Sequence, residues 1–421
     1  MILGSPAPID VQRELAAMRA ELAEIRVAQR DEWIDRERAN QMRAVVADAM
    51  ADSATRASFL SSEVSCGYDR GAYMRSADGC WSVKVNLLAQ VRFVYNSASN
   101  QQGADNTWGM ETHRVNAMLA GTMLDPSVSW MMMTDYNTQP DRFVEVVDEV
   151  VLLYAWVRKD MGSGFAVTVG LQNVPWDMES DYVGSCNITS GEFSIFNYRF
   201  GSGKQEGVTA SYRGDWWRTT AGVFSQLNGF EQQWDSPTNL AAGLAMRTEA
   251  KIGAEWTDLD WEYSLREGQE GMVFGLGTLW SSGRAENSQE PDTPAAQGFT
   301  ADLRGTAAGA TLIAQYALMR DPVGQPELGW GSGVNVQGSV FVADGVQAFA
   351  EACWMDAVEV PWIAQCGVNW YVGGRVMKVT TRVVVPFGSG DVNGTRNIAG
   401  GLGIADSGNN ASLVTQLQLL F

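Results

Sequence analysis

The chain contains few of the residue types from which most active sites and metal sites are built. It has one histidine, His113, and five cysteines with no CxxC pair among its 421 residues. One imidazole without a Ser or Cys nucleophile signature beside it does not make a catalytic triad, and a zinc site needs several thiolate or imidazole ligands. No GxGxxG or P-loop sequence follows a strand pattern and opens a helix. The sequence therefore predicts a protein that is not an enzyme and that needs neither cofactor nor metal.

Basic residues and long apolar runs are also scarce. There are 30 Lys and Arg against 49 Asp and Glu, a formal net charge of -19, and no basic stripe that could neutralise phosphates, which argues against a nucleic-acid partner. Nowhere do about 18 apolar residues run together, the length that a membrane-spanning helix needs. The first residues lack the pattern of a signal peptide, so an exported protein would carry its signal outside this numbering. Yet 45% of the residues are hydrophobic, at a mean hydropathy of -0.14, so the apolar residues are dispersed.

The dispersal has a period of two, which is typical of β-strands. The last strand pattern places Leu413, Leu417, Leu419 and Phe421 on one face and Ser412, Gln416 and Gln418 on the other. The same alternation covers residues 81–95, 244–256 and 377–385, where one face is apolar and the opposite face carries charges. A strand between lipid and a watery lumen needs both faces. The alternative for the last strand alone is a half-buried strand of a soluble sandwich.

Breaks between these patterns are alternately short and longer, which is the rule for outer-membrane barrels. Counting strands between the breaks gives sixteen, with both ends on the periplasmic side. A barrel of that size encloses an aqueous channel rather than a packed core. The sequence therefore predicts an all-β fold, a 16-stranded antiparallel transmembrane β-barrel over residues 81–421, preceded by an α-helical coiled coil.

The coiled coil is predicted over residues 9–59, which lack Gly and Pro. Val11, Leu15, Met18, Leu22 and Ile25 follow the 4-3-4-3 spacing of an a/d seam, which favours an oligomer and leaves a trimer open. Residues 60–80 are predicted to be a connector or periplasmic plug segment. Cys66 and Cys80 bracket its glycine-bearing part. An oxidising periplasm favours a disulfide between them, and two free thiols are the alternative.

Four stretches carry a resemblance to a known family: residues 67–79, the strand Val85 to Tyr95, the segment Phe165 to Glu179, and the terminal Phe421. Together they resemble the phosphate-selective porin O and P family, in the planctomycete-type version with an amino-terminal coiled coil. The resemblance implies a sixteen-stranded homotrimeric porin of the bacterial outer membrane whose third loop folds inward to narrow each pore. Here that loop is residues 172–206. The resemblance carries over the fold and not the phosphate substrate, because the loop is acidic and the family's basic cluster has no residue-by-residue match.

Charged residues on the lumen side of the predicted strands form the candidate site, because rings of charge set which ions a wet pore passes. The pore-lining basic set is Lys84, Arg92, Arg114, Arg213, Arg218, Arg247, Lys251, Arg304, Lys378 and Arg382. The acidic set, on the wall or in the third loop, is Asp177, Glu179, Asp181, Glu192, Glu249, Glu255, Asp302 and Glu351. The set would act as an ion filter, while any single residue is equally explained as lumen lining that pairs across strands. Aromatic residues near strand ends, Trp256 among them, are expected at the outer rims of the barrel.

The sequence thus predicts an outer-membrane porin for passive diffusion of ions and small polar solutes, with its amino-terminal helix in the periplasm. Its partners would be outer-membrane lipid, two further copies of the chain, and a cell-wall or periplasmic component at the coiled coil. The alternative is a structural protein that tethers the outer membrane to the cell wall, with the pore closed or incidental.

Overall fold

The structure, a computed structural model, describes residues 64–69, 71–97, 106–137, 149–182, 184–225, 243–260, 270–281, 297–320, 330–356, 362–387 and 411–421. The coiled coil predicted at 9–59 lies outside these ranges and stays a prediction. No helix in the described ranges is long and apolar enough to cross a membrane.

Sixteen antiparallel strands form a closed barrel. They are β3 Ser82–Asn96, β4 Thr107–Met123, β5 Asp125–Asn137, β6 Glu149–Gly162, β7 Phe165–Asn173, β8 Lys204–Arg213, β9 Trp217–Phe224, β10 Gly243–Gly253, β11 Gly271–Ser281, β12 Gln297–Ala307, β13 Ala310–Arg320, β14 Trp330–Ala343, β15 Val346–Met355, β16 Trp362–Arg375, β17 Met377–Phe387 and β18 Ser412–Leu420. Each pairs with the next, and β18 returns to pair with β3 from Ser412↔Asn96 to Leu420↔Leu88. The predicted sixteen-stranded antiparallel barrel is confirmed.

The closing seam of the barrel shows why the alternation arises. Inside, Ser412, Gln416 and Gln418 of β18 are 2% exposed or less, while Leu413 and Phe421 on the outside are 39% and 44% exposed. The backbone of Phe421 donates to Leu87 at 2.9 Å and accepts from it at 2.6 Å. The last residue of the described chain therefore takes part in closing the sheet, and its aromatic ring lies on the apolar outer face.

At one end of the barrel the strands are joined by short turns. Between β12 and β13 two residues suffice, Ala308 and Gly309, and both have positive φ, 48° and 81°. Two left-handed residues in a two-residue loop match the right-handed twist of neighbouring strands. At this same end a short helix, α3 Trp256–Leu259, follows β10.

Two short strands precede the barrel, β1 Val64–Tyr68 and β2 Ala72–Ser76. They pair with each other, and β2 also pairs with β3 from Ala72↔Val85 to Arg75↔Ser82. The described part of the predicted connector is therefore a β-hairpin beside β3. Cys66 and Cys80 are free thiols in this structure, so it does not contain the predicted disulfide, which stays a prediction.

Candidate functional site: the barrel lumen

The third loop, between β7 and β8, folds into the lumen. It contains two short helices, α1 Met178–Tyr182 and α2 Ile195–Phe200. Ser194 begins α2 by accepting a hydrogen bond from the Asn197 N–H at 3.0 Å, the usual way in which a serine satisfies a free N–H at a helix start. Apolar residues of the loop form one core cluster with wall residues of β9, β10, β11, β13, β15, β16 and β17, so the loop packs against that side of the barrel.

Trp176 fixes the first part of the loop. Its indole N–H donates to the carbonyl of Phe200 at 2.7 Å, and its own carbonyl accepts from the Thr300 hydroxyl at 2.7 Å. Two wall positions at this contact are glycine: a Cβ at Gly277 would lie 1.8 Å from the Trp176 carbonyl oxygen, and one at Gly298 would lie 2.4 Å from the indole ring. Glycine at these two wall positions is what lets the loop approach so closely.

A row of wall side chains holds the middle of the loop by its backbone carbonyls. The six pairs, donor first, are Gln90 to Ser185 at 3.3 Å, Gln418 to Cys186 at 3.0 Å, Lys378 to Ile188 at 2.7 Å, Asn369 to Thr189 at 2.8 Å, Arg382 to Ser190 at 3.1 Å and Gln416 to Gly191 at 3.1 Å. The donors come from β3, β16, β17 and β18, which are adjacent in the barrel. We call this row the carbonyl ladder. It satisfies the buried carbonyls of an irregular segment, which would otherwise be costly.

Glu192, 0% exposed, anchors the loop to β3 and β4. Its carboxylate accepts from Arg114 at 2.5 Å and from the Tyr198 hydroxyl at 2.8 Å, lies 3.5 Å from Arg92, and contacts His113. The direct contacts with two guanidiniums and an imidazole outweigh burial, which by itself would raise the pKa, so that the pKa of Glu192 lies well below its usual range.

A β-bulge in β4 makes this cluster. Gln90 of β3 pairs with Arg114, but the next residue, Val91, pairs with Thr112, so His113 is inserted. Glu111 opposes Arg92 and forms an ion pair with it. Because of this insertion, Glu111, His113 and Arg114 all face the lumen. In a regular strand, one of the consecutive residues His113 and Arg114 would face outward.

A second charge cluster lies on β9, β10 and β12. Arg247 donates to Asp302 at 2.7 and 2.9 Å and to Glu249 at 2.9 Å. Arg218 pairs with Glu249 and donates to Asp260 at 2.6 Å. From the third loop, Asp181 approaches the Arg247 Nε to 3.9 Å. Burial raises the pKa of Asp181 to about 7, against the opposing effect of Arg247. Its side chain keeps 24% of its surface exposed, so ions in the lumen can reach it.

The predicted basic residues fall into two groups. Arg92, Arg247, Arg304, Lys378 and Arg382 are 2% exposed or less, and Lys378 and Arg382 belong to the carbonyl ladder. Others remain in contact with the aqueous lumen: the side chains of Arg114, Arg218 and Arg213 are 13%, 12% and 52% exposed, and Lys84 is partly exposed. Lys251 donates to the Ala254 carbonyl at 2.9 Å. The structure thus separates buried charges from charges that permeating ions could meet.

The predicted acidic residues divide in the same way. Asp177 and Glu179 are buried inside the loop, where they accept from the Ser180 and Ser194 N–H groups at 2.9 Å each. On the wall, Glu351 is buried and accepts from Gln365 at 2.9 Å, and Glu249 and Asp302 are buried with Arg247. Glu255 lies beyond the end of β10 with 76% of its side chain exposed.

Sequence reasoning missed Glu111, His113 and Asp260, and it misplaced Trp256. His113 lies inside β4. Trp256 was expected at an outer rim, but it is 5% exposed, donates to the Gly214 carbonyl at 2.9 Å and lies 4.3 Å from the Arg218 guanidinium. Trp256 begins a short helix that turns its side chain inward. An interpretation that places it at the end of a strand does not predict this orientation. The polar run around His113 was a usable signal for the bulge, because it breaks the alternation.

Partly exposed inward side chains show where water reaches the lumen. On β11 to β18 the inward side chains at mid-strand are buried, for example Gln315, Gln347 and Asn369. On β4, β5 and β6 several are only partly covered, namely Met118, Met131, Met133, Tyr154 and Trp156. Because the third loop packs against the opposite side, the accessible lumen lies along β4 to β6.

Comparison with solved structures identifies the fold. OmpF of Salmonella typhi, solved in complex with daunomycin, aligns with a TM-score of 0.55 at 13% identity, over 85% of this chain and 100% of that chain. OprB of Pseudomonas putida aligns with a TM-score of 0.50 at 10% identity, over 80% and 94%. No protein-family model matches the sequence. No curated protein matches it either. The chain therefore shares the barrel fold of bacterial outer-membrane porins.

Proposed function

We propose that the protein is an outer-membrane porin through which ions and small polar solutes diffuse down their gradients. One observation carries the proposal: a closed sixteen-stranded barrel has an apolar outer face, a polar inner face and a loop folded into the lumen. Water inside and lipid outside are the two surroundings that such alternating faces require. The porin-like fold supports the same conclusion. The outer membrane is then the location of the barrel.

Selectivity would come from the charges that remain accessible beside the third loop. These include the basic side chains of Arg114, Arg213 and Arg218, and the acidic side chains of Asp181 and Asp260. They face a lumen with a low-dielectric wall, in which fixed charges act strongly on passing ions. The resemblance to the phosphate-selective porin O and P family remains a proposal about relationship. Phosphate is not proposed as the solute, because Lys378 and Arg382 serve the loop backbone and the loop itself is acidic.

We further propose a homotrimer whose amino-terminal segment, residues 9–59, forms a coiled coil in the periplasm. The heptad spacing of Val11, Leu15, Met18, Leu22 and Ile25 supports it. In this arrangement the three barrels lie side by side in the membrane, and the helix is available for a cell-wall or periplasmic partner.

The test is single-channel recording of the purified full-length protein in a planar bilayer with a salt gradient. Large ohmic steps that close in thirds are expected for a trimer of open pores, and the sign of the reversal potential gives the ion preference. Silence, with insertion confirmed by flotation of the protein with liposomes, would contradict the diffusion pore.

The second candidate is the structural tether between outer membrane and cell wall. It is favoured by the burial of inward side chains on β11 to β18, since a loop that fills that half of the lumen restricts flow. A silent barrel that co-sediments with purified cell wall through residues 9–59 would establish it. Conductance together with such binding would mean that one molecule does both.

A further inference from the structure

Five apolar or aromatic side chains of β4, β5 and β6 form a continuous patch inside the lumen. Strand register places them together: Met118 opposes Met133, which opposes Tyr154, and in the neighbouring row Met131 opposes Trp156. The rows face inward because Met118 opposes Asn86 of β3, a buried inner-face residue. We call these five residues the methionine patch. All five are partly exposed.

The patch is less polar than the rest of the inner wall. Elsewhere at mid-strand the inner face carries mainly Gln, Asn, Thr, Arg and Glu, and the apolar wall residues on β9 to β17 are covered by the third loop. Removing apolar surface from water when a ligand covers it is favourable. A patch of this kind inside a pore points to solutes that have an apolar part.

Charged groups lie at both ends of the patch. On β6 the next inward residue after Trp156 is Arg158, which opposes Ser129, and its guanidinium is close enough to that of Arg213 for the two to repel each other. On β5 the next inward residue after Met133 is Asp135, which opposes Asn116 and lies within electrostatic range of Arg114. Arg158 at this end offers a guanidinium to a carboxylate or another planar anion, while Arg213 is already paired with Asp260 at 3.6 Å.

We propose that the methionine patch is a solute subsite for organic anions that combine an aromatic or branched aliphatic body with a carboxylate. The body lies on the thioethers of Met118, Met131 and Met133 and against Trp156, and the carboxylate points toward Arg158. Methionine suits this role because its flexible, polarizable side chain adapts to ligands of different shape. The inference rests on the proposed function and adds to it the class of solute that is held during passage.

Benzoate and acetate are suitable probes because they carry the same charge and differ in the apolar body. Single-channel currents of the full-length protein in potassium chloride are recorded while either anion is added to one side. Benzoate is expected to shorten the open times or to reduce the amplitude of the open-channel current as its concentration rises. Acetate at equal concentration is expected to do neither. In parallel, benzoate binding to the protein in detergent micelles is measured by calorimetry.

Alternating positions of β5 provide a patch variant and its control. Met131→Gln together with Met133→Gln changes the patch at nearly constant size and is expected to weaken benzoate binding by about tenfold, which corresponds to about 1.4 kcal/mol. Met132→Leu is the matched control, since Met132 lies between them, faces outward and is 43% exposed. Met118→Gln on β4 is a second patch variant that does not depend on the folding of the altered β5.

Equal effects of benzoate and acetate on the wild-type protein, or unchanged benzoate binding in both patch variants, would overturn the subsite. Failure of the proposed function looks different: the wild-type protein inserts but gives no potassium chloride current. In that case calorimetry still decides the subsite, because binding to the solubilised barrel does not require conduction.

Discussion

The Arg114 guanidinium of β4 donates to the Glu192 carboxylate of the third loop at 2.5 Å. This contact holds the loop to the strand next to β3, at the end of the carbonyl ladder. Glu192 follows directly on Gly191, whose carbonyl is the last in the ladder. The loop is therefore held on β3 and β16 to β18 by neutral and charged donors to its backbone, and on β3 and β4 also by one buried carboxylate. Four predictions concern these contacts and the charges beside them.

Replacing the anchor, Glu192→Gln, is expected to destabilise the barrel and loosen the loop. The change leaves the buried Arg92 and the partly exposed Arg114 beside a neutral amide, and breaking a buried ion pair by removing one partner costs about 3–5 kcal/mol. The unfolding temperature, measured by heat-modifiability on gels, should fall, and the open-channel current should become noisier. Glu255→Gln removes the same charge from an exposed side chain and is the control. Equal behaviour of the two variants would show that Glu192 is not an anchor.

Basic side chains of the wall are either exposed to the lumen or buried, and removing a charge is expected to have a different effect in each case. Arg213→Gln should shift the reversal potential toward cation preference, because this side chain is 52% exposed and acts on ions in the lumen. Lys378→Gln should shift it less and should instead lower stability, because Lys378 is 1% exposed and donates to the Ile188 carbonyl. An unsatisfied buried carbonyl costs about 1–3 kcal/mol. A larger selectivity shift in Lys378→Gln than in Arg213→Gln would contradict the assignment.

Close contact between wall and loop predicts that Gly277→Ala displaces the loop. The new Cβ would lie 1.8 Å from the Trp176 carbonyl oxygen, a clash that requires backbone movement. Overpacking of this kind costs about 1–3 kcal/mol, and protease cleavage within 174–203 should become faster. Gly338→Ala in β14 is the control, because its Cβ would meet no atom within 4 Å. Protection equal to that of the wild-type protein in Gly277→Ala would mean that the loop is not packed at this point.

The raised pKa of Asp181 predicts a pH-dependent selectivity. Burial raises it from 3.8 to about 7, and Arg247, Glu249, Arg218 and Asp177 are the charged neighbours. Below pH 7 the carboxyl is mostly neutral, and above pH 7 it adds one negative charge per pore, so cation preference should increase between pH 5 and pH 9. Since the folded pKa exceeds the unfolded value, the stabilising effect of the neutral form is complete below about pH 4 and is lost as the pH rises through 7.

Reversal potentials at a fixed salt gradient from pH 5 to pH 9 test this prediction. Asp181→Asn should remove the midpoint near pH 7 and hold the selectivity at its acidic value across the range. A midpoint that persists in Asp181→Asn would assign the titration to another group.

Much of the wall could be read from the sequence because the rule behind it is local. Successive residues of a strand face opposite sides, so the polar side chains of Lys378, Arg382 and Gln416 among apolar neighbours already locate the inner face. The roles of those residues could not be read in the same way. Lys378 and Arg382 hold carbonyls about 190 residues away along the chain, as their sequence separations of 190 and 192 show. No periodicity carries contacts of that range.

By itself the sequence determined the alternation and the sixteen strands, because both depend on neighbours one or two residues away or on the spacing of turns, while the inward fold of the acidic third loop was implied by the family resemblance. Only the tertiary structure decided which charges remain in water. The bulge at His113 brings Glu111 and Arg114 to the same side, the glycines at 277 and 298 admit Trp176, and the loop covers one half of the lumen. The other half of the lumen, with its methionine patch, stays open because the loop does not cover it. This open half exists only when the barrel closes around the loop.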